Sequence, residues 1–267
     1  MKLLWRLLYK LSRNILVLRI YESLLIRQVK EGEIPRHVAL ILDGNRRWAR
    51  RMGLSPKDGH KAGADRVKDL LSWCQDLGIS TLTVYAFSTE NLRRRSREEI
   101  EHIFSLFEQY LKDPYLREEI DKHKVKVKIM GRLDLLPSRI IDLIKEIENK
   151  TKNYDKFFFN IAFAYGGRAE IVDAVKRIVH EVSEGHLDVD AIDEKIIAKH
   201  LYTSHLPHPD PDMVLRTSGE ERLSNFLLWQ VAYSELVFLD VMWPEFRRID
   251  LLRAIRTYQK RRRRFGG

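Results

Sequence analysis

The run VALILDGNRRWARRMG, residues 38–53, sets five apolar residues directly before a carboxylate, a glycine and two arginines. A short apolar stretch closed by glycine has the length of a buried strand. A strand that ends on Asp43 and gives way to Gly44, Asn45, Arg46, Arg47 and Trp48 delivers charge to the edge of a sheet. Charged surface turns are common, so the meaning of this one depends on what else converges on it.

The rest of the chain supplies the sheet. His37–Leu42 reads as the first strand, followed by an amphipathic helix over Gly59–Leu77 and a second strand over Thr81–Phe87. Ser96 caps a long helix over Arg97–Leu111; Val125–Met130 is a third strand, and Pro137–Lys150 a helix with proline in its permitted first turn. Phe157–Ala164 reads as a fourth strand before a helix over Ala169–Val182. Met213–Leu215 and Leu236–Leu239 are short strands, and Leu251–Arg264 a closing helix. Strands alternating with helices predict an α/β fold with a mainly parallel central sheet flanked by helices. No repeat or linker divides it, so one domain over residues 35–267 with an N-terminal arm, residues 1–34, is expected.

In such sheets ligands bind beyond the carboxyl ends of the strands. Three polar loops fall there: Asp43-Gly44-Asn45, Ser88-Thr89-Glu90-Asn91 and Arg216-Thr217-Ser218-Gly219. Arg46, Arg47 and His60 around Asp43 suit a diphosphate, because guanidinium groups offer paired donors to phosphate oxygens. A carboxylate beside phosphate repels it unless a hard cation lies between, and Mg²⁺ takes few protein ligands and several phosphate oxygens. Asp43 therefore reads either as a Mg²⁺ ligand or as a helix N-cap, a position aspartate favours. The segment RTSGEERLSN brings Arg216, Arg222, Leu223 and Ser224, enough for a second anion, or for a salt-bridged loop with Glu220 and Glu221. Two anion sites on one rim suggest two phosphorylated substrates.

Composition narrows the class. The 267 residues are 44% hydrophobic and 32% charged, a globular balance, and the lone Cys74 rules out an internal disulfide and suggests a reducing, intracellular setting. The net charge of +10 favours an anionic partner. It is concentrated at the ends: residues 1–30 carry seven Lys/Arg against Glu22, and residues 247–267 nine against Asp250. Arg6, Lys10 and Arg13 interrupt the N-terminal apolar residues at helical spacing, so that segment is neither a spanning helix, which needs ~20 apolar residues, nor a signal peptide. It reads as a basic amphipathic helix, on a membrane surface or packed on its own domain. Nucleic acid is not expected, since KRRRRFGG offers only Phe265 for stacking. No glycine loop ending in Gly-Lys-Ser/Thr is present. The prolines of HLPHPDPD keep His205 and His208 off a common helical face.

HVALILDGNRRWA, GHKAGA, TLTVYAFSTEN, NIAFAYGGRAEI, DMVLRTSGEERLSNFLLWQVAYSEL and the terminal RRFGG together resemble the cis-prenyltransferase family, the undecaprenyl and dehydrodolichyl diphosphate synthases. The likeness spans essentially residues 35–267, and DGNRR looks more like the archaeal and eukaryotic branch. The resemblance implies a parallel sheet with a hydrophobic tunnel, a homodimer, and Mg²⁺-dependent addition of isopentenyl diphosphate to an allylic diphosphate, each new double bond cis. It implies Asp43 and Glu235 at the metal, with Gly44, Asn45, Arg46, Arg47, Trp48 and His60 around the allylic diphosphate. Ser88, Thr89, Glu90 and Asn91 lie by the reacting carbons, with Arg94 a further contact. Arg216, Arg222 and Ser224 hold isopentenyl diphosphate, and Arg264 completes the partner's site across the dimer. A cytoplasmic protein, peripheral on the membrane face, follows. A noncatalytic partner subunit of the same family is the alternative, against which the intact DGNRR and RTSGEERLS weigh. Departures are Leu92 and Arg95, where the family has Trp and Pro, and Pro56, where an arginine precedes the histidine.

Overall fold

A computed structural model describes residues 15–262. Six strands form one sheet: β1 (His37–Ile41), β2 (Thr81–Ser88), β3 (Val125–Met130), β4 (Phe157–Tyr165), β5 (Met213–Arg216) and β6 (Glu235–Phe238), in the order β3-β4-β2-β1-β5-β6. Every pairing is parallel, so each connection must cross a face of the sheet. The helices are α1 (Ile15–Lys30), which precedes β1, then α2 (Asn45–Arg51), α3 (Pro56–Asp76), α4 (Thr89–Arg94), α5 (Arg97–Lys112), α6 (Pro114–Lys122), α7 (Ser138–Thr151), α8 (Gly167–Ser183) and α9 (Glu194–His200) in the connections between strands, and α10 (Arg248–Arg262), which follows β6.

The expected strands are all present, within about one residue at each end. The fully buried HVALI of β1 explains its unbroken apolar run, since both faces of a central parallel strand are covered. The helix expected from Gly59 begins earlier, at Pro56: Ser55 and Asp58 form a reciprocal capping box, and proline takes the first turn. Four helices were not read from the sequence. α2, α4, α6 and α9 have nine residues or fewer, too few for a helical period to stand out from a charged loop.

Alternate residues of each strand feed two cores. Val38, Leu40, Leu82 and Val84 pack with α3, α5 and α7 on one face; Ala39, Ile41, Tyr85 and Ala162 pack with Tyr165, Phe226 and Leu227 on the other. α1 lies against the domain through buried Leu25 and Val29, and Gln259 of α10 donates to the carbonyls of Val29 and Glu33. Residues 15–30 thus take the packed arrangement, with Ile20 and Leu24 exposed. Arg6, Lys10 and Arg13 lie outside the described residues. Among the described residues, no helix is long and apolar enough to cross a membrane.

Candidate active site

The register of β1 on β5 pairs Ile41 with Arg216, which brings the loops after both strands together. Arg216, 5% exposed, donates from Nη2 to Asp43 Oδ2 at 2.8 Å and from Nη1 to Ser224 Oγ at 2.8 Å. Its Nη1 also donates to the Arg222 carbonyl. Thr217 Oγ1 staples the loops by donating to the Asp43 carbonyl at 2.7 Å and accepting the Asp43 N–H at 3.0 Å. Arg47 reaches the other carboxylate oxygen at 3.4 Å and donates to Ser218 Oγ. Burial works against the charged Asp43, but the Arg216 hydrogen bond and the charges of Arg216 and Arg47 bring its carboxyl below the usual range.

Asp43 is not the cap of α2. Gly44 takes that position at φ 107°, where a Cβ would be strained and would stand 3.1 Å from Met242 and Ser218. A second close approach sets α2 on α3: a Cβ at Gly63 would lie 2.3 Å from Asn45 Oδ1. The turn therefore leaves the carboxylate free to face the arginines.

β2 ends at Ser88, whose Oγ accepts the Asn91 N–H at 3.0 Å and starts α4. Glu90 is held from across the rim by Asn225, whose Nδ2 donates to Glu90 Oε1 at 2.8 Å. Asn225 in turn accepts the N–H groups of Gly167 and Arg168 at the start of α8. Ser224 and Asn225 adopt left-handed backbone, φ 50° and 65°, which turns this loop back over the rim.

These loops surround the mouth of a cavity of about 780 Å³. Asp43, Arg46, Arg47, His60, Arg94 and Arg216 line its polar end, and Phe87, Phe107, Ile120, Val127, Ile147 and Phe159 its apolar walls. Ser88 pairs with Tyr165 and Leu82 with Phe159, so the cavity follows roughly 20 Å of strand away from the rim. Such a space holds a charged head at one end and a hydrocarbon chain below it.

Of the expected residues, Gly44, Asn45, Ser88, Glu90, Asn91, Arg222 and Ser224 also line this cavity; Trp48, Thr89 and Leu223 do not line it. Glu235 does not join Asp43 within the chain. It opens β6 opposite Met213, at the end of the sheet away from the Asp43 rim, and pairs with Arg261 at 3.2 Å. The first residue of a parallel strand emerges on the opposite side from the carboxyl-end loops. Arg264 lies outside the described residues. Arg95 and Asn225 are among the lining residues that had no site role in the sequence reading, as are Lys68, Tyr110 and Arg117. Asn225 directly follows Ser224 in the same loop, which was the available signal.

Among the described residues, no cluster of three or more His, Cys, Asp or Glu side chains could hold a metal alone. Mg²⁺ needs only one or two carboxylates when phosphate oxygens complete its shell, and Asp43 amid phosphate-suited arginines fits that pattern. The geometry can bind diphosphates at two adjacent loops and stabilise negative charge as one departs.

Known proteins place this geometry. The family model for undecaprenyl diphosphate synthase matches residues 41–266. The geranylgeranyl-diphosphate-specific tritrans,polycis-undecaprenyl-diphosphate synthase of Methanopyrus kandleri is 56% identical over 94% of this chain and 91% of its own. That of Methanocaldococcus jannaschii is 51% identical over 97% and 92%. Lavandulyl diphosphate synthase from Lavandula x intermedia, solved with dimethylallyl diphosphate, superposes with a TM-score of 0.81 at 35% identity, covering 87% of this chain and 96% of that one. The chain belongs to the undecaprenyl diphosphate synthase family of cis-prenyltransferases.

Proposed function

We propose that the protein is a Mg²⁺-dependent synthase that extends geranylgeranyl diphosphate with isopentenyl diphosphate to a long polycis-polyprenyl diphosphate, the precursor of a glycosyl carrier lipid. The single observation that carries this is the arginine-rich mouth opening on an apolar cavity. The archaeal relatives are specific for geranylgeranyl diphosphate, which supports that primer.

In this reading Arg46, Arg47 and His60 hold the allylic diphosphate at the Asp43 loop, with its chain in the cavity. Arg216, Arg222 and Ser224 hold isopentenyl diphosphate. Asp43 holds Mg²⁺, which when bound offsets charge on the leaving diphosphate. The allylic C–O bond breaks, the isopentenyl double bond attacks the freed carbon, and a proton leaves the adjacent carbon of the isopentenyl unit. A carboxamide has no basic form near neutral pH, so Asn91 orients the oxygen that takes this proton rather than taking it itself.

Two further parts of the reading concern assembly. Val172, Val175 and Val179 expose an apolar stripe at i, i+3, i+7 along α8, which supports a homodimer. The basic arm supports peripheral attachment to an anionic membrane face of the cytoplasm. Deleting residues 1–14, and not the packed residues 15–30, should weaken flotation with anionic liposomes.

Purified protein should be incubated with isopentenyl diphosphate and, separately, farnesyl and geranylgeranyl diphosphate, and its products sized. A ladder of long prenyl products, strongest with geranylgeranyl diphosphate and lost with chelator, is expected. No product from any primer would mean a noncatalytic subunit.

A further inference from the structure

His60 meets a cation where a histidine usually meets an acceptor. Arg95 closes α4, and its Nη1 lies 3.2 Å from His60 Nε2 on α3. The arginine is held there: the same Nη1 donates to Glu99 Oε1 at 2.8 Å, and the guanidinium lies 5.6 Å from the Phe87 ring centroid. Its side chain is 16% exposed, in the wall of the cavity. Lys57, the neighbouring cation in sequence, is instead taken up by Glu98 at 2.8 Å, outside the cavity lining.

The chemistry of the pair fixes a proton. Arginine has five donors and no acceptor, so a hydrogen bond to His60 Nε2 requires that nitrogen to accept. The imidazole proton must then sit on Nδ1. That atom is buried without a partner, as is Arg95 Nε, and both residues line the cavity mouth. An unpaired buried N–H is costly, and a ligand oxygen that accepts from it recovers that cost.

The surroundings keep the ring uncharged. Burial lowers the His60 pKa to about 4, helped by the charge of Arg95 and by His102 and Arg46. The groups facing it are Arg46 on α2, Arg95 just after α4, and Glu99 and His102 on α5; Glu99 Oε1 lies 3.7 Å from Nε2 and His102 stacks at 6.1 Å. Glu99 alone would favour a proton on Nε2, but Arg95 holds that carboxylate more closely.

We propose that Arg95 is a positioning residue that fixes the Nδ1–H tautomer of His60, making Nδ1 a standing hydrogen-bond donor to the allylic diphosphate. This rests on the proposed function and adds to it a group that acts through another. His60 then binds the diphosphate as a neutral donor, so affinity holds steady as pH falls through the range where free histidine titrates.

The test uses the full chain and an unreactive thio-analogue of geranylgeranyl diphosphate. Nitrogen-15 NMR of labelled histidine, with His60 identified by its loss in His60→Gln, reads the tautomer directly in wild type, Arg95→Lys and Arg95→Leu. Wild type and Arg95→Lys should show Nδ1–H from pH 5.5 to 8. Arg95→Leu should show mixed tautomers and a His60 that titrates nearer its ordinary pKa. Calorimetry should find the analogue bound roughly tenfold or more weakly by folded Arg95→Leu, the loss of one hydrogen bond to a charged group. That deficit should be narrower at pH 5.5 than at pH 8, because the titrating ring of the variant then carries a proton on both nitrogens and a positive charge. Nδ1 unprotonated in wild type, or tautomer and affinity unchanged in Arg95→Leu, overturns the proposal. A wild type that binds the analogue with this tautomer yet makes no prenyl product overturns the proposed function and leaves the Arg95 role standing.

Discussion

Arg216 Nη2 donates to Asp43 Oδ2 at 2.8 Å, so the buried cation of one loop neutralises the carboxylate of the other. On the proposed function, a diphosphate that draws Arg216 away would leave Asp43 for a metal. The two residues act as a coupled pair. Asp43→Asn and Arg216→Met should each cut kcat by about 10²–10³, the size of one lost charge-stabilising group. Denaturant titrations of both variants and their double mutant should give a coupling of about 1–3 kcal/mol. Additive stabilities would show that the pair does not interact in solution.

His37 makes the fold acid-sensitive. It is fully buried, with Nδ1 2.9 Å from the His208 carbonyl and Nε2 2.8 Å from Thr83 Oγ1, and burial lowers its pKa to about 4. Between about pH 6.5 and 4 the unfolded chain binds a proton that the native chain refuses. Stability therefore falls as pH drops through that window, by up to about 1.4 kcal/mol per pH unit from this group. His205, bonded through Nε2 to Asn160 at 2.9 Å and also lowered to about 4, adds to the slope. Urea titrations at pH 5 and 7 should show a shallower pH dependence in His37→Asn than in wild type. Equal slopes would assign the acid loss to other groups.

The apolar walls should set product length. Val127 and Phe159 are paired across β3 and β4, with Ile147 of α7 on the same cavity wall, all well below the Ser88 rim. A bulkier side chain there shortens the space for a growing chain without touching the diphosphate loops. Ile147→Trp should shift the products to fewer isoprene units while the rate of the first addition changes less than about threefold, ~0.7 kcal/mol of barrier. Chromatographic sizing of the products decides this, and an unchanged distribution would mean that the chain leaves by another route.

Shared sites can be tested by mixing subunits. Combining Asp43→Ala with Arg264→Ala subunits gives heterodimers with one doubly damaged and one intact site if Arg264 serves its partner. Activity should then rise well above either parent after exchange. If mixing recovers nothing with exchange confirmed, Arg264 serves its own subunit.

The sequence alone determined the sheet, because strands buried on both faces read as unbroken apolar runs and the long helices carry full periods. It also named the Asp43, Ser88 and Arg216 loops, since a parallel sheet sends each strand's carboxyl end to one rim. Three matters waited for tertiary structure. Whether Asp43 capped a helix or faced arginines depended on Gly44, whose left-handed backbone takes the cap position. Glu235 already reads as preceding the strand Leu236–Leu239, but only the parallel pairing of β6 with β5 put it at the sheet's other end, away from the rim. Arg95 was one of three consecutive arginines in the sequence, and only the tertiary structure set it on His60, because contacts between residues 35 apart have no local signature.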